Sequence, residues 1–245
     1  MTDPSVDVND PRTSELSERL NAVHLRIADA TVAAGRTTAP QLIVISKFHP
    51  AADVRRLASL GVTDVGENRD QEATEKSGLL GDLGLRWHFV GQLQSNKAKS
   101  VVRYAHAVHS VDRPQIAGAL AKAVAVQIEN SGRDPLKCFI QVNLDEHAQG
   151  HRGGALPADV ASLADYLADL EGLELAGLMA VAPLGGEPRK AFEKLAAISA
   201  SMTAVHTGAA GISAGMSQDL EAAIEFGATH LRIGSDILGS RPALG

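Results

Sequence analysis

The stretch "LIVISKFHP", residues 42–50, places Lys47 at the end of an unbroken apolar run. A run of this kind is typical of a parallel strand that is buried on both faces. Seven more β-rich runs follow it, and the segments between the runs show helical periodicity. The predicted strands are 41–46, 62–67, 86–91, 105–111, 137–143, 173–181, 209–214 and 229–234. The predicted helices between them are 50–60, 68–80, 93–103, 113–131, 156–170, 187–205 and 217–227.

Eight strands that alternate with helices favour an α/β fold of one domain, the (β/α)8 TIM barrel, because parallel neighbours need crossover connections. An open doubly wound sheet is the alternative, although the chain has no GxGxxG motif. We expect a disordered tail at 1–12 and a ligand-binding barrel domain at 13–245. Apolar residues three or four apart predict an extra N-terminal helix, and they are Leu16, Leu20, Val23, Ile27 and Ala30.

Composition narrows the classes of function. The formal net charge is -6 and the pI is about 5.8, which disfavours a protein that binds the nucleic-acid backbone. No apolar stretch approaches the roughly 18 residues of a membrane span, and the N-terminus lacks the features of a signal peptide. Cys138 is the single cysteine, and we expect it to pack in the core. These features predict a cytoplasmic protein.

Lys47 has two interpretations. In the commoner one, its stem packs along the barrel while the ammonium group reaches solvent or pairs with a carboxylate such as Glu67. In the other, partial burial lowers the pKa of the amine, which can then form a Schiff base with an aldehyde. A barrel favours the second, since chemistry in this fold collects at the C-terminal ends of the strands.

The last two strand ends predict a phosphate site. In "SAGMSQDLEAAIEFG", residues 213–227, Ser217 is the predicted N-cap of a helix and Asp219 lies in its predicted first turn. In "THLRIGSDILGSRP", Arg232 ends the strand, Gly234 allows the backbone to approach a ligand and Ser235 adds a hydroxyl donor. Instead of contacting the ligand, Arg232 could be a structural ion-pair partner. A lysine after strand one, opposite a phosphate site at strands seven and eight, describes a pyridoxal 5'-phosphate (PLP) pocket.

The chain also resembles a known family. The segments "VISKFHP", "VGENRDQEA", "RWHFVGQLQSNKAK", "HSVDR", "QVNLDEHAQG", "GLMAVAP" and "ISAGMSQDLEAAIEFGATHLRIGSDILG" occur in order. They are similar to the signatures of the pyridoxal phosphate homeostasis protein family, whose fold is similar to the N-terminal barrel of alanine racemase. The resemblance implies a lysine aldimine at Lys47, Arg232 facing the pyridine nitrogen and Asn68 bordering the cofactor. The cofactor-binding residues that it implies are Lys47, Asn68, Ser213, Met216, Ser217, Arg232, Gly234 and Ser235.

The same resemblance implies a function in vitamin B6 homeostasis. The protein would hold PLP and buffer it or supply it to PLP-dependent apoenzymes, with no catalytic residue. A lone barrel with an acidic surface also allows a monomer. An arginine at the ring nitrogen would keep that nitrogen unprotonated and weaken the electron sink that PLP enzymes use. An amino-acid racemase is the alternative, but it needs a second acid/base group, and Tyr104 and Tyr166 both lie in predicted helices. A phosphosugar aldolase that uses Lys47 without PLP is a third possibility.

The histidines do not predict a metal site. His106 and His109, or His147 and His151, have a spacing that a metal could use, but no HExxH motif or cysteine partner accompanies them. We expect surface histidines there, and a core or pocket position for His88. The sequence departs from the family at four positions near the predicted pocket, which are Phe48, His49, Ala214 and Ser235. Lys97 and Lys99 are expected on a solvated helix face.

Overall fold

A computed structural model describes residues 10–145 and 153–240. Eight parallel strands follow one another around a closed barrel, and the last strand pairs with the first. The predicted (β/α)8 barrel is therefore confirmed, and closure excludes the open sheet. The strands are β1 Gln41–Ile45, β2 Asp64–Glu67, β3 Arg86–Phe89, β4 Ala105–Val111, β5 Leu136–Gln141, β6 Leu173–Met179, β7 Gly211–Ser213 and β8 His230–Ile233.

Helices follow the strands on the outside of the barrel. Those in the described residues are α1 Pro11–Ala33, α2 Ala51–Ser59, α3 Asp70–Leu79, α4 Ala98–Val101, α5 Pro114–Ser131, α6 Val160–Ala168, α7 Pro188–Thr203, α8 Leu220–Glu225 and α9 Ser235–Leu238. Several differ from the predicted bounds. The predicted helix 93–103 is shortened most, because the chain there first makes a 3₁₀ turn at Ser95–Lys97. Tyr104 lies in the turn after α4, so its predicted helical position was wrong.

Helix α1 is the predicted extra helix. Its buried face carries Leu16, Leu20, Val23 and Ile27, all in the main apolar cluster. The helix begins at Pro11, whose missing N–H suits a first-turn position, and the Asp10 side chain accepts a hydrogen bond from the Arg12 N–H. It thus starts two residues before the predicted domain boundary at residue 13. The rest of the predicted tail, residues 1–9, lies outside the described residues.

The main apolar core lies between the strands and the surrounding helices. Both strands and helices contribute to it: Val44, Ile140 and Leu231 lie on strands, and Leu120 and Leu195 lie on helices. Cys138 is fully buried in this cluster, as predicted. Within the described ranges, no helix combines the length and apolar composition that crossing a membrane requires.

The lumen of the barrel is polar. His109 on β4 lies 2.9 Å from the hydroxyl of Ser213 on β7, and these strands are not neighbours in the sheet. A contact between them therefore crosses the interior. A small apolar cluster of Ala107, Phe139 and Met179 lies beside this polar contact, with Phe139 stacked on His109.

Strands β6 and β7 approach closely at two glycines. Gly177 has a φ of +149°, and a Cβ built on it would lie 1.8 Å from the carbonyl oxygen of Gly211. That distance is far below any real contact, and the obstructing atom belongs to the backbone. Only glycine fits this position.

We predict that Gly177→Ala lowers the free energy of unfolding by about 3 kcal/mol or more, because the added methyl must displace a strand. Gly78→Ala is the matched control. Gly78 is exposed in α3 with nothing within 4 Å of a built Cβ, so alanine should stabilise by about 0.5–1 kcal/mol. Urea denaturation measures both changes. Equal stability of the two variants would contradict the assigned contact.

Candidate functional site

The turn after β1 presents Lys47 at the C-terminal end of the barrel. The strand ends at Ile45, and Lys47 is exposed two residues later. Phe48 follows with a φ of 69°, the one positive φ of a non-glycine residue in the described part of the chain. Its N–H donates to Glu72 Oε1 at 2.6 Å, and the His49 N–H closes the turn on the Ser46 carbonyl at 3.1 Å. A left-handed phenylalanine is strained, so these bonds hold a tight turn that carries the lysine.

A second lysine, Lys76, is buried beneath this turn and contacts its backbone. Its side chain is 6% exposed, and its ammonium group donates to the Ser46 carbonyl at 2.8 Å, to Glu67 Oε1 at 2.6 Å and to Glu72 Oε1 at 2.7 Å. Burial raises the pKa of Glu67, against the lowering effect of Lys76. The carboxylate named as a possible partner of Lys47 is therefore paired with Lys76, and that pairing was predicted wrongly. The Glu72–Lys76 spacing of i,i+4 was the available signal.

The β7–α8 and β8–α9 turns meet at their serines. The hydroxyls of Ser217 and Ser235 lie 3.2 Å apart. The helix starts later than predicted, since α8 begins at Leu220 and Asp219 is its N-cap residue. Asp219 Oδ1 instead accepts the Met216 N–H at 2.6 Å, in a turn that precedes the helix. The predicted capping role of Ser217 and the first-turn position of Asp219 are both wrong, although Ser217 still faces Ser235.

Arg26 of helix α1 forms hydrogen bonds to both of these regions. Arg26 donates to Asp236 Oδ2 at 2.7 Å, to Glu221 Oε1 at 2.8 Å and to the Ser217 carbonyl at 3.2 Å. One guanidinium thereby contacts both the turn before α8 and the helix after β8. The fork geometry of arginine suits such a role. The extra helix thus helps to shape this end of the barrel.

Arg232 enters the lumen from β8. It is 5% exposed, and its guanidinium donates to Ser213 O at 2.6 Å, Ser213 Oγ at 2.7 Å and Ala180 O at 2.9 Å. Burial lowers its pKa to about 10. No ion pair joins it to a carboxylate of the described residues, so the structure gives no support to its alternative role as an ion-pair partner. Ser213 is fully buried beside Arg232, and its hydroxyl accepts one of the hydrogen bonds of the guanidinium.

Pairing of β1 with β8 brings these groups to one end of the barrel. Ile43 is opposite Arg232 in the register, and a Cβ at Gly234 would lie 3.0 Å from the Ile45 carbonyl oxygen. The backbone after β8 therefore runs against the strand that leads to Lys47. Asn68 directly follows β2, the other neighbour of β1, and its Oδ1 is buried without a hydrogen-bond partner. Met216 is 37% exposed at the same end.

Three of the histidines considered from the sequence lie on the barrel strands β3 and β4. His109 is fully buried and His88 is 3% exposed, while His106 is half-buried. The surface position predicted for His106 and His109 was wrong, whereas the core position considered for His88 is confirmed. His147 and His151 lie outside the described residues. No group of His, Cys, Asp or Glu in the described ranges has the geometry of a metal site.

A cavity of about 310 Å³ opens at the opposite, N-terminal end of the barrel. Its lining comes from the first residues of several strands, and it consists of Gln41, Arg86, His88, His106, Ala107, Lys137, Phe139 and His230. Burial lowers the pKa of both His106 and His230 from 6.5 to about 4. This end of the barrel therefore presents neutral imidazoles at neutral pH.

The chain is similar in sequence to known proteins along most of its length. The family profile described as "Alanine racemase, N-terminal domain" matches residues 23–242. The pyridoxal phosphate homeostasis protein of Mycobacterium tuberculosis H37Rv is 41% identical over 245 residues, covering 94% of each chain. The chain belongs to the pyridoxal phosphate homeostasis protein family. The family resemblance expected from the sequence is thereby confirmed.

Solved structures extend the comparison to three dimensions. PipY of Synechococcus elongatus PCC7942, solved with PLP bound, is 33% identical to this family member, with a TM-score of 0.78 over 91% of this chain and 100% of PipY. Alanine racemase of Corynebacterium glutamicum is 14% identical, with a TM-score of 0.67 over 95% of this chain and 63% of the racemase. The second likeness concerns the barrel fold alone.

We predict that Lys76→Met destabilises the protein by about 3–5 kcal/mol, because it leaves the buried Glu67 carboxylate without its cation. Adding Glu67→Gln to that variant should recover part of the loss, since the uncompensated charge is then removed. Urea denaturation of both variants, beside the exposed control Lys99→Met, measures the effect. A Lys76→Met protein as stable as the control would refute the network.

A second prediction concerns pH. The unfolded chain binds protons at histidine near pH 6.5, whereas folded His106 and His230 bind them near pH 4. The free energy of unfolding should therefore fall as the pH drops from 6.5 towards 4. His106→Phe with His230→Phe should flatten this dependence, while His24→Gln, on the exposed side of α1, should not. Denaturation at several pH values tests this, and an unchanged slope in the double variant would contradict it.

Proposed function

We propose that this protein binds PLP at the C-terminal end of its barrel and acts in intracellular vitamin B6 homeostasis. It holds the cofactor as a Schiff base on Lys47, buffers it and supplies it to PLP-dependent apoenzymes. The name of the M. tuberculosis relative and the PLP bound to PipY support the proposal. The residues of this chain support it independently.

The observation that carries the proposal is the charge of Arg232, which forms no ion pair within residues 10–145 and 153–240. A buried cation without a carboxylate is costly, and a bound anion with a hydrogen-bond acceptor would compensate it. PLP offers both, in its phosphate and its ring nitrogen. The guanidinium only donates hydrogen bonds, so it would meet an unprotonated ring nitrogen. That arrangement weakens the electron sink on which carbanion chemistry depends, and it favours storage over turnover.

The phosphate end is assigned to the two serine-bearing turns. Ser217 and Ser235 direct two hydroxyls at one point, and Gly234 allows the backbone between β8 and α9 to approach a ligand. Met216 borders this point from the preceding turn. Asn68 Oδ1, buried without a partner, is a polar atom that a bound cofactor or its water could satisfy. These residues fit the group.

The role proposed for Ser213 differs from that of the other serines. Its hydroxyl is fully buried and accepts a hydrogen bond from Arg232. It therefore orients the guanidinium toward the pyridine ring of PLP, while Ser217, Ser235 and the backbone at Gly234 bind the phosphate.

Racemisation is the second candidate and has less support. It needs an acid/base group on the face of the cofactor opposite Lys47. Tyr104 is half-buried with its hydroxyl 3.5 Å from Asp70, and Tyr166 is exposed on α6. Neither tyrosine belongs to the set of residues around Lys47. An aldolase that uses Lys47 without PLP would leave the charge of Arg232 uncompensated.

The proposal extends to the setting of the protein. We place it in the cytoplasm, where PLP-dependent apoenzymes are synthesised and a lone buried thiol such as Cys138 stays reduced. We further propose that it acts as a monomer, because all of the assigned groups come from one chain.

We predict that the purified protein, incubated with PLP, gains the visible absorption of a Schiff base and that Lys47→Ala does not. Lys99→Ala, at an exposed lysine of α4, is the matched control and should retain the band. After borohydride reduction, mass spectrometry should find the adduct on the peptide that contains Lys47. A band of equal strength in Lys47→Ala would refute the assignment.

Storage and racemisation are separated by a second measurement on the same PLP-loaded protein. Deuterium exchange at the Cα of a panel of amino acids should stay near the rate of free PLP. Exchange at enzyme-like rates would replace the homeostasis proposal with the racemase.

A further inference from the structure

Five side chains form one continuous hydrogen-bonded chain through the lumen. Arg232 Nη1 donates to Ser213 Oγ at 2.7 Å, and Ser213 Oγ lies 2.9 Å from His109 Nδ1. His109 Nε2 lies 2.9 Å from His88 Nδ1, and His88 Nε2 lies 2.9 Å from Asp64 Oδ1. None of the five is more than 5% exposed. The chain connects the cofactor end of the barrel with its N-terminal end.

The two ends of the chain fix its direction. A guanidinium can only donate, so Ser213 Oγ accepts from Arg232 and keeps its own hydrogen for His109 Nδ1. At the other end, hydrogen bonds from His88 and Arg86 outweigh burial and hold the pKa of Asp64 well below its ordinary value. A carboxylate can only accept, so His88 Nε2 carries a proton. His109 Nε2 then donates to His88 Nδ1, and both imidazoles are neutral.

If His88 donated to His109 instead, the hydroxyl hydrogen of Ser213 would have no acceptor. A second proton on His88 would require His109 to donate from Nδ1 to Ser213 Oγ, which already accepts from Arg232. The hydroxyl hydrogen of Ser213 would then lose its acceptor, and a second cation would be buried in the lumen. Burial also lowers the pKa of His109 well below 6.5, which favours its neutral form.

Packing holds the central ring of the chain in place. Phe139 stacks on His109 with 4.4 Å between ring centroids and 12° between planes. His230 meets the edge of Phe139 at 5.1 Å. The imidazole plane, and hence the direction of its two nitrogens, is therefore set by neighbours that take no part in the hydrogen-bonded chain.

We propose that Asp64, His88 and His109 are positioning residues that act through Ser213 to hold the guanidinium of Arg232 where it meets the ring of bound PLP. The PLP part of this inference rests on the proposed function. Without the chain, Ser213 Oγ is free to rotate and Nη1 keeps one fixed acceptor, the Ser213 carbonyl. Polarisation along the chain also gives the buried cation a distant counter-charge at Asp64.

The chain offers a matched pair of variants. His109→Phe removes both central hydrogen bonds while an aromatic ring of similar size remains against Phe139. His106→Phe is the control, because its ring lies 5.7 Å from that of His88, on the same strand as His109, but makes none of the four hydrogen bonds.

The first test uses the apo-protein and nitrogen-15 NMR. At pH 7, His88 and His109 should both carry their proton on Nε2. The guanidinium N–H signals of Arg232 should be separately resolved and slow to exchange with water. His109→Phe should merge these arginine signals, and His106→Phe should leave them unchanged. A proton on Nδ1 of either imidazole, or arginine signals unaffected by His109→Phe, would overturn the inference.

The second test measures PLP affinity and the absorption of the bound cofactor. His109→Phe should weaken binding about ten-fold and shift the absorption maximum, whereas His106→Phe should stay within about two-fold of the native protein. If the native protein does not take up PLP, the proposed function fails, and the NMR result alone decides the positioning role. If His109→Phe binds as tightly as the native protein with the same spectrum, the positioning role is refuted.

A third variant covers the case in which His109→Phe does not fold. Ser213→Ala breaks the chain one residue nearer to Arg232 and leaves the stacked rings untouched. It should merge the arginine signals in the same way, and separate, slowly exchanging signals in this variant would contradict the proposal.

Discussion

Closure of the barrel by β1 and β8 is the constraint on which the ligand-binding end depends. Four residue pairs join Gln41–Val44 to His230–Ile233. They place the turn that carries Lys47 beside the strand that carries Arg232, although the two come from opposite ends of the sequence. Lys47 alone is an exposed lysine and Arg232 alone a buried cation. The pairing brings them to one end of the barrel, where we propose that they form one site.

The fold separates the residues that stabilise it from those that bind. The extensive apolar cluster lies between strands and helices, so the lumen is free to hold charge. Buried Lys76 pairs with two glutamates, and buried Asp64 pairs with Arg86 and accepts a hydrogen bond from His88. Such pairs contribute little net stability, but breaking one is costly. Arg232 differs because neutral dipoles are its acceptors, which leaves its charge available to an anion.

The sequence was sufficient for the fold because barrel strands repeat a local pattern that does not depend on distant contacts. The positions of Lys47 and Gly234, just after β1 and β8, were predictable from strand order alone. Ser217 was misplaced as an N-cap because a side-chain turn at Asp219 delays the helix, and this competition is invisible in residue preferences. His109 was taken for a surface residue because its partner, Ser213, lies on a strand far along the chain. Lys76 was missed because α3 is polar on nearly all sides, so a buried lysine in it resembles a solvated one.

The contacts of Arg26 have a consequence for synthesis of the protein. Its helix is made first, but two of its partners, Glu221 and Asp236, lie 195 and 210 residues further along the chain. Contacts of such sequence separation slow folding, because a long loop must close before they form. While the ribosome is still translating, the part of α1 that packs on α8 and α9 must therefore stay uncovered, a state that chaperones recognise. A chain that terminates before β8 has neither a closed barrel nor a binding end, so translation yields the whole site or none of it.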